Sequence, residues 1–152
     1  MTIQIIGTVF KKSGEYGDFD YMIKSGKYEN SLFIFNDNEK HHTTSKEGGG
    51  NAIIRKYNKF AFPDRPRSAG IVTGQLPIMN GGYKNFSNET KIKIDMCIDE
   101  IKEIITQNKY QQVFYSADEE NGLLGTSIFK VNEDVIKYIT NQIKNLVNYK
   151  IQ

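Results

Sequence analysis

A disulfide framework is excluded at once, because Cys97 is the only cysteine in the 152 residues. That economy fits a reducing compartment. Neither is there an apolar run near the roughly 20 residues a membrane helix needs. The N-terminal stretch MTIQIIGTVFKK alternates instead of running apolar, so it reads as a strand and not as a signal peptide. The expectation is an intracellular, cytoplasmic protein with no membrane partner. Charge of one sign is scarce as well. The net charge is only +2 and basic residues are interspersed with acidic ones, so no footprint for a long nucleic acid stands out. Phosphate fingerprints are missing: no GxxxxGK[ST] occurs, and no GxGxxG follows the first strand. An ATPase or an ordinary nicotinamide dehydrogenase is therefore poorly supported. The triplet Asn88-Glu89-Thr90 matches a glycosylation acceptor, but with no secretory signal it reads as chance.

What is present suffices for one folded domain spanning 1–152. Hydrophobic residues make up 38% and charged residues 25%, with 9 Tyr and 9 Phe, a composition that folds. Ile3, Ile5, Gly7 and Val9 alternate with polar neighbours and predict a first strand to about Phe10. A turn-rich stretch follows, and YMIKSG predicts a short second strand. SLFIFND, with its continuous apolar run Leu32 to Phe35, predicts a strand covered on both faces. After the glycines, Ala52, Ile53, Ile54 and Tyr57 predict a short helix, and Pro63 and Pro66 an extended connection. SAGIVTG and QVFYSAD predict two further strands, with QLPIMNGGYKNF a loop broken at Gly81-Gly82 and ENGLLGTSIF a second loop. Ile94, Ile98, Ile101 and Ile105, with Met96 and Ile104 beside them, predict a long helix capped by Ser87 or Asn88. Asn132 caps a last helix, whose stripe is Val135, Ile136, Ile139, Ile143, Leu146 and Val147. Strands alternating with helices imply an α/β layer fold with a mixed, largely parallel central sheet.

In such a sheet ligands favour the crevice outside the carboxyl ends of the strands. Three of the predicted strands deliver polar residues there: Asn36, Asp37 and Asn38 from one, Thr73 and Gly74 from another, Ser116 and Asp118 from a third. Two glycine-rich loops each run into a helix. Gly48, Gly49 and Gly50, followed by Asn51, would let a ligand approach bare backbone N–H groups. The loop through Gly125 adds the hydroxyls of Thr126 and Ser127. Together they would offer two sets of donors to a diphosphate.

The order of these features resembles the macrodomain family. A buried strand ends in an Asn-rich turn (FIFNDN), a polar stretch and a triple glycine follow (GGGNAIIR), and a strand with a Thr-Gly pair comes next (IVTG). The strand, loop and last helix FYSADEENGLLGTSIFKVNEDVIKYI complete the series. The resemblance covers about residue 20 to the end. It implies a three-layer α/β/α fold, a small-molecule nucleotide ligand such as ADP-ribose, or an ADP-ribosylated protein as partner, and no cofactor or metal. It implies that Asn36, Asn38, Gly48, Gly49 and Gly50 border the distal ribose. Gly125, Thr126, Ser127, Ile128 and Phe129 would wrap the diphosphate, Phe129 lying against that ribose. Many macrodomains hydrolyse ADP-ribose adducts. Here Asn38 and Asp118, and after them Asp37, are the candidates to orient a water. The chain departs from the family at SGKY, with Lys27 where an acid usually takes the adenine amino group, and at Asn51, where Val-Asp is usual.

Other residues have plainer readings. His41 and His42 sit in a polar loop with no third ligand at metal spacing, and are read as solvated. Cys97 is read as packing, and Arg55 and Lys56 as surface charges with a phosphate contact as the alternative. A non-catalytic sequestering protein would use the same pocket. A protein- or RNA-contacting domain would instead expose Tyr83 and Phe86 around structural glycines.

Overall fold

The computed structural model describes residues 2–149. Four strands, β1 (Gln4–Thr8), β2 (Ser31–Asp37), β3 (Ser68–Val72) and β4 (Gln112–Ser116), form one sheet in the order β1-β4-β2-β3. Among the described residues every strand pair is parallel, so the expected mixed sheet is corrected; only the isolated bridges Gly74–Gly82 and Ala117–Leu124 are antiparallel there. The reason lies in the segment expected to be the second strand. It is a helix, α1 (Phe19–Lys24). Asp18 caps it by accepting the Tyr21 N–H, Phe19 and Met22 bury one side at i, i+3, and Gly26 just beyond has φ +73°. This α1 crosses over the sheet from β1 to β2, as parallel pairing requires.

Alternation along the strands divides the core into two layers. Leu32, Ile34, Val113 and Tyr115 face one side, where α2 (Asn88–Asn108) and α3 (Glu133–Lys144) pack through Ile94, Ile98, Ile101, Ile105, Val135, Ile139 and Ile143. Phe33, Phe35 and Phe114 face the other, against Phe19 and Met22 of α1 and Ile54 of the 3-10 segment Gly50–Tyr57. Phe33 and Phe114 stack at 5.1 Å between centroids. Ser87 caps α2 and Asn132 caps α3. The stripes are slightly narrower than expected. Met96 is 60% exposed, Val147 is exposed and Ile136 is only half-buried, while Ile104 is buried.

This connectivity opens a crevice. The chain leaving β2 passes to the α1 side through Gly50–Tyr57, whereas the chain leaving neighbouring β4 passes to the opposite side through α3. Where adjacent parallel strands send their connections to opposite faces, the loops part above the carboxyl edge and leave a hollow.

Candidate functional site

A cavity of about 680 Å³ occupies that hollow, within the size range of ~300–1,000 Å³ usual for small-molecule sites. Strand ends form its floor: Asn36 and Asp37 of β2, Thr73 and Gly74 after β3, Ser116 and Ala117 at β4. The triple glycine is on its wall, and so are Gly125, Ser127, Ile128 and Phe129. Of the residues expected at the site, Thr126 is the exception. It lines a shallower neighbouring pocket with Phe129, behind the same loop.

The three glycines are not equally constrained. A Cβ on Gly48 would come within 2.8 Å of the Ala52 Cβ, so this glycine is demanded by packing. Gly50 has φ +55°, a backbone that L side chains rarely adopt. Gly49 has neither constraint: its backbone is extended (φ −80°, ψ 159°) and a Cβ there would meet nothing within 4 Å. The N–H groups of Gly49 and Gly50 find no acceptor among the described residues, and neither do those of Ser127 and Ile128, which also line the cavity, or of Thr126 in the neighbouring pocket. Gly48 N–H is spent on Ala52 O, Gly125 N–H on Ser116 O, and Phe129 N–H on Thr126 O.

Several expected ligand groups are already occupied. Asn51 is a structural clamp: its Oδ1 accepts the Phe19 N–H at the start of α1 (2.9 Å), and its Nδ2 donates to Gly17 O and Ser116 Oγ, both at 3.0 Å. Thr73 Oγ1 donates to Asn36 Oδ1, leaving the Asn36 amide NH2 for a ligand. Asn38 Oδ1 accepts the His41 N–H. Asp118 closes its own turn by accepting the Glu120 N–H. Gly74 is close-packed, since a Cβ would lie 2.2 Å from Gly81 O. Lys27 does not line the cavity; with α1 in place of a strand, the SGKY segment ends a helix away from the rim.

The two histidines and Arg55 are corrected outright. His41 is only 8% exposed and lines the cavity, and its Nδ1 has no hydrogen-bond partner among the described residues. Burial, with Arg55 and Lys46 next, lowers its pKa and keeps the ring neutral near pH 7. His42 is held between two carboxylates, Nδ1 at 2.9 Å from Asp37 Oδ2 and Nε2 at 3.1 Å from Glu100 Oε2. Burial opposes its charge, but the hydrogen-bonding side chains of Asp37, Cys97 and Glu100 outweigh burial and push its pKa up to about 12. Arg55 is 3% exposed and every guanidinium nitrogen has a partner: Nε and Nη2 reach Asp37 Oδ1 at 3.0 and 2.7 Å, and Nη1 reaches Lys46 O at 2.7 Å. A Cβ on Gly70 would sit 2.2 Å from Asp37 Oδ2, so β3 leaves a slot for that carboxylate. The signal was in the sequence. An acid at a strand end, two histidines in a loop and an arginine on the next helix are the ingredients of a buried charge network, although nothing in their spacing says that they meet.

Cys97 lies 3.9 Å from His42 Nε2, which outlines a Cys-His-Asp series. The thiol is buried and is not among the residues lining the cavity, so packing remains its role. No group of three or more His, Cys, Asp or Glu side chains able to hold a metal exists among the described residues. No described helix is long and apolar enough to cross a membrane.

No protein-family model, curated protein or solved structure matches the chain. The functional reading therefore stands on the cavity itself. Its polar content is asymmetric: unpaired N–H donors on two walls, an amide NH2 and a neutral imidazole on the floor side, and Val9, Phe10, Leu76, Pro77, Ile128 and Phe129 as apolar surface.

Proposed function

We propose that the cavity binds a nucleotide through its diphosphate, in the manner of a macrodomain, with ADP-ribose or a related NAD-derived nucleotide as the ligand. The observation that carries this reading is Gly49. Neither packing nor backbone conformation requires a glycine there, while the residue lines a cavity to which Gly50, Ser127 and Ile128 add further N–H groups without an acceptor among the described residues. Convergent peptide N–H groups without acceptors form an anion site. Gly49, Gly50, Ser127 and Ile128 are exposed, so a phosphoryl oxygen would exchange water for a charge-assisted hydrogen bond at each N–H. The three-layer arrangement and the crevice at the strand ends agree with the macrodomain resemblance.

The test is a thermal-shift panel of ADP-ribose, its phosphate ester, NAD and cyclic nucleotides, followed by calorimetric titration. At 100 times its dissociation constant a ligand adds about 2.7 kcal/mol of stability. No response to any nucleotide would remove the reading. It would favour an interaction domain, for which Phe86 but not the buried Tyr83 is exposed.

A hydrolytic version rests on a separate observation, the neutral imidazole of His41 in the cavity lining. With Asn38 and Asp118 each giving one oxygen to a turn, and the Nδ1 of His41 sealed from solvent, the His41 ring would have to act through Nε2. It would take a proton from water as the oxygen attacks the anomeric carbon and the C–O bond to the leaving phosphate or acyl group breaks. Mass analysis after incubation with the ADP-ribose phosphate ester separates this from sequestration: intact ester recovered after denaturation identifies a binder.

A further inference from the structure

Arg55 lines the cavity, and each of its three guanidinium nitrogens already donates one hydrogen bond within the protein. Asp37 occupies two of them and the Lys46 carbonyl the third. The Lys46 carbonyl belongs to the strap that leads directly into Gly48 and Gly49, and no strand or helix includes this strap. We propose that Arg55 is a positioning residue: braced by Asp37, it fixes the strap 46–49 so that the N–H groups of Gly49 and Gly50 point at a common anion, and His42 maintains the brace by balancing charge.

The bracing is geometric. Asp37 ends β2 and is one of the most buried polar groups of the chain, with its two oxygens divided between Arg55 and His42. The groups facing His42 are Asp37 from β2, Glu100 and Cys97 from α2, and the Phe60 ring, with Lys59 reaching Glu100 at 3.7 Å. Asp37, Glu100, Arg55 and a charged His42 balance one another, and Lys59 adds a further positive charge at the partly exposed Glu100. Without the imidazolium the Asp37 carboxylate would lose one of its two cationic partners beneath an anion site, which would weaken any phosphate held there. A guanidinium suits the task because its planar fork holds two acceptors at fixed angles, which an ammonium does not. The inference rests on the proposed anion site for its purpose, but the loop geometry is measurable with no ligand present.

The experiment is hydrogen exchange read by mass spectrometry on unliganded wild type, Arg55→Lys and His42→Gln. Calorimetric titration with ADP-ribose and with inorganic pyrophosphate accompanies it. Exchange of the hydrogen-bonded N–H groups of Lys46, Gly48 and Ala52 is expected to rise at least tenfold in Arg55→Lys, with protection of α2 unchanged, and affinity for both probes to fall at least tenfold. His42→Gln should move both quantities the same way by less, and decides the matter alone if Arg55→Lys does not fold. Unchanged exchange at Lys46, Gly48 and Ala52, or a rise shared equally with α2, overturns the inference. If wild type binds neither probe, the titrations count against the proposed function, while the exchange result still decides the role of Arg55.

Discussion

At the residue scale, glycine, aspartate and histidine each carry a separable consequence. Gly49 is extended, a conformation valine favours, and open space surrounds its missing Cβ. Gly49→Val should therefore keep the melting temperature of wild type and abolish the ADP-ribose heat in calorimetry. Unchanged binding would show that the triple glycine serves no ligand. Asp37 is different, because its removal strands Arg55 and His42 in a buried setting. Asp37→Asn should cost about 3–5 kcal/mol in urea unfolding. His42 gives a pH signature whose sign is fixed by linkage. Its folded pKa of about 12 lies above the ordinary 6.5. The pair contacts therefore stabilise fully below pH 6.5 and progressively less as pH rises toward 12. His42→Gln should flatten the fall in melting temperature between about pH 7 and pH 10, and an unaltered slope would assign that fall to other groups.

At the scale of elements, short segments borrow their stability from neighbours. Helix α1 has six residues, far below the length at which a helix holds by itself. Asn51 ties its first N–H and the preceding Gly17 carbonyl to the start of Gly50–Tyr57, and Ser116 at the end of β4 shares the same amide. One side chain thus joins α1, the glycine loop and β4. Asn51→Ala should lose about 1–3 kcal/mol for each buried group left unpaired and raise hydrogen exchange across 17–22 before α2 is affected. By contrast α2 is long, capped by Ser87 and buried through its isoleucines. Ser87→Ala should cost only about 1 kcal/mol, seen as a small shift in the urea midpoint.

At the scale of the whole molecule, the site exists because four parallel strands end at one edge and two of their connections diverge. Local sequence determined much of what meets there. Period-2 and continuous apolar runs marked β1, β2, β3 and β4, the isoleucine spacing marked α2, and Ser87 and Asn132 marked caps, since these signals are written in neighbouring residues. Polar strand ends and two glycine loops pointed to the rim by the same local logic. YMIKSG was misread because a six-residue amphipathic helix and a short strand share the same apolar content; Asp18 and the i, i+3 pair Phe19 and Met22 were the discriminating signs. Which groups would be free and which spent was decided only by the tertiary structure. His41 and His42 left the solvent, Arg55 turned from a phosphate candidate into a brace, and Asn51 became a clamp; the partners of His42, Arg55 and Asn51 lie 5 to 65 positions away. Periodicity records which face of an element is buried. It does not record which polar groups find each other once those faces close, because that depends on distances between elements that share no stretch of chain.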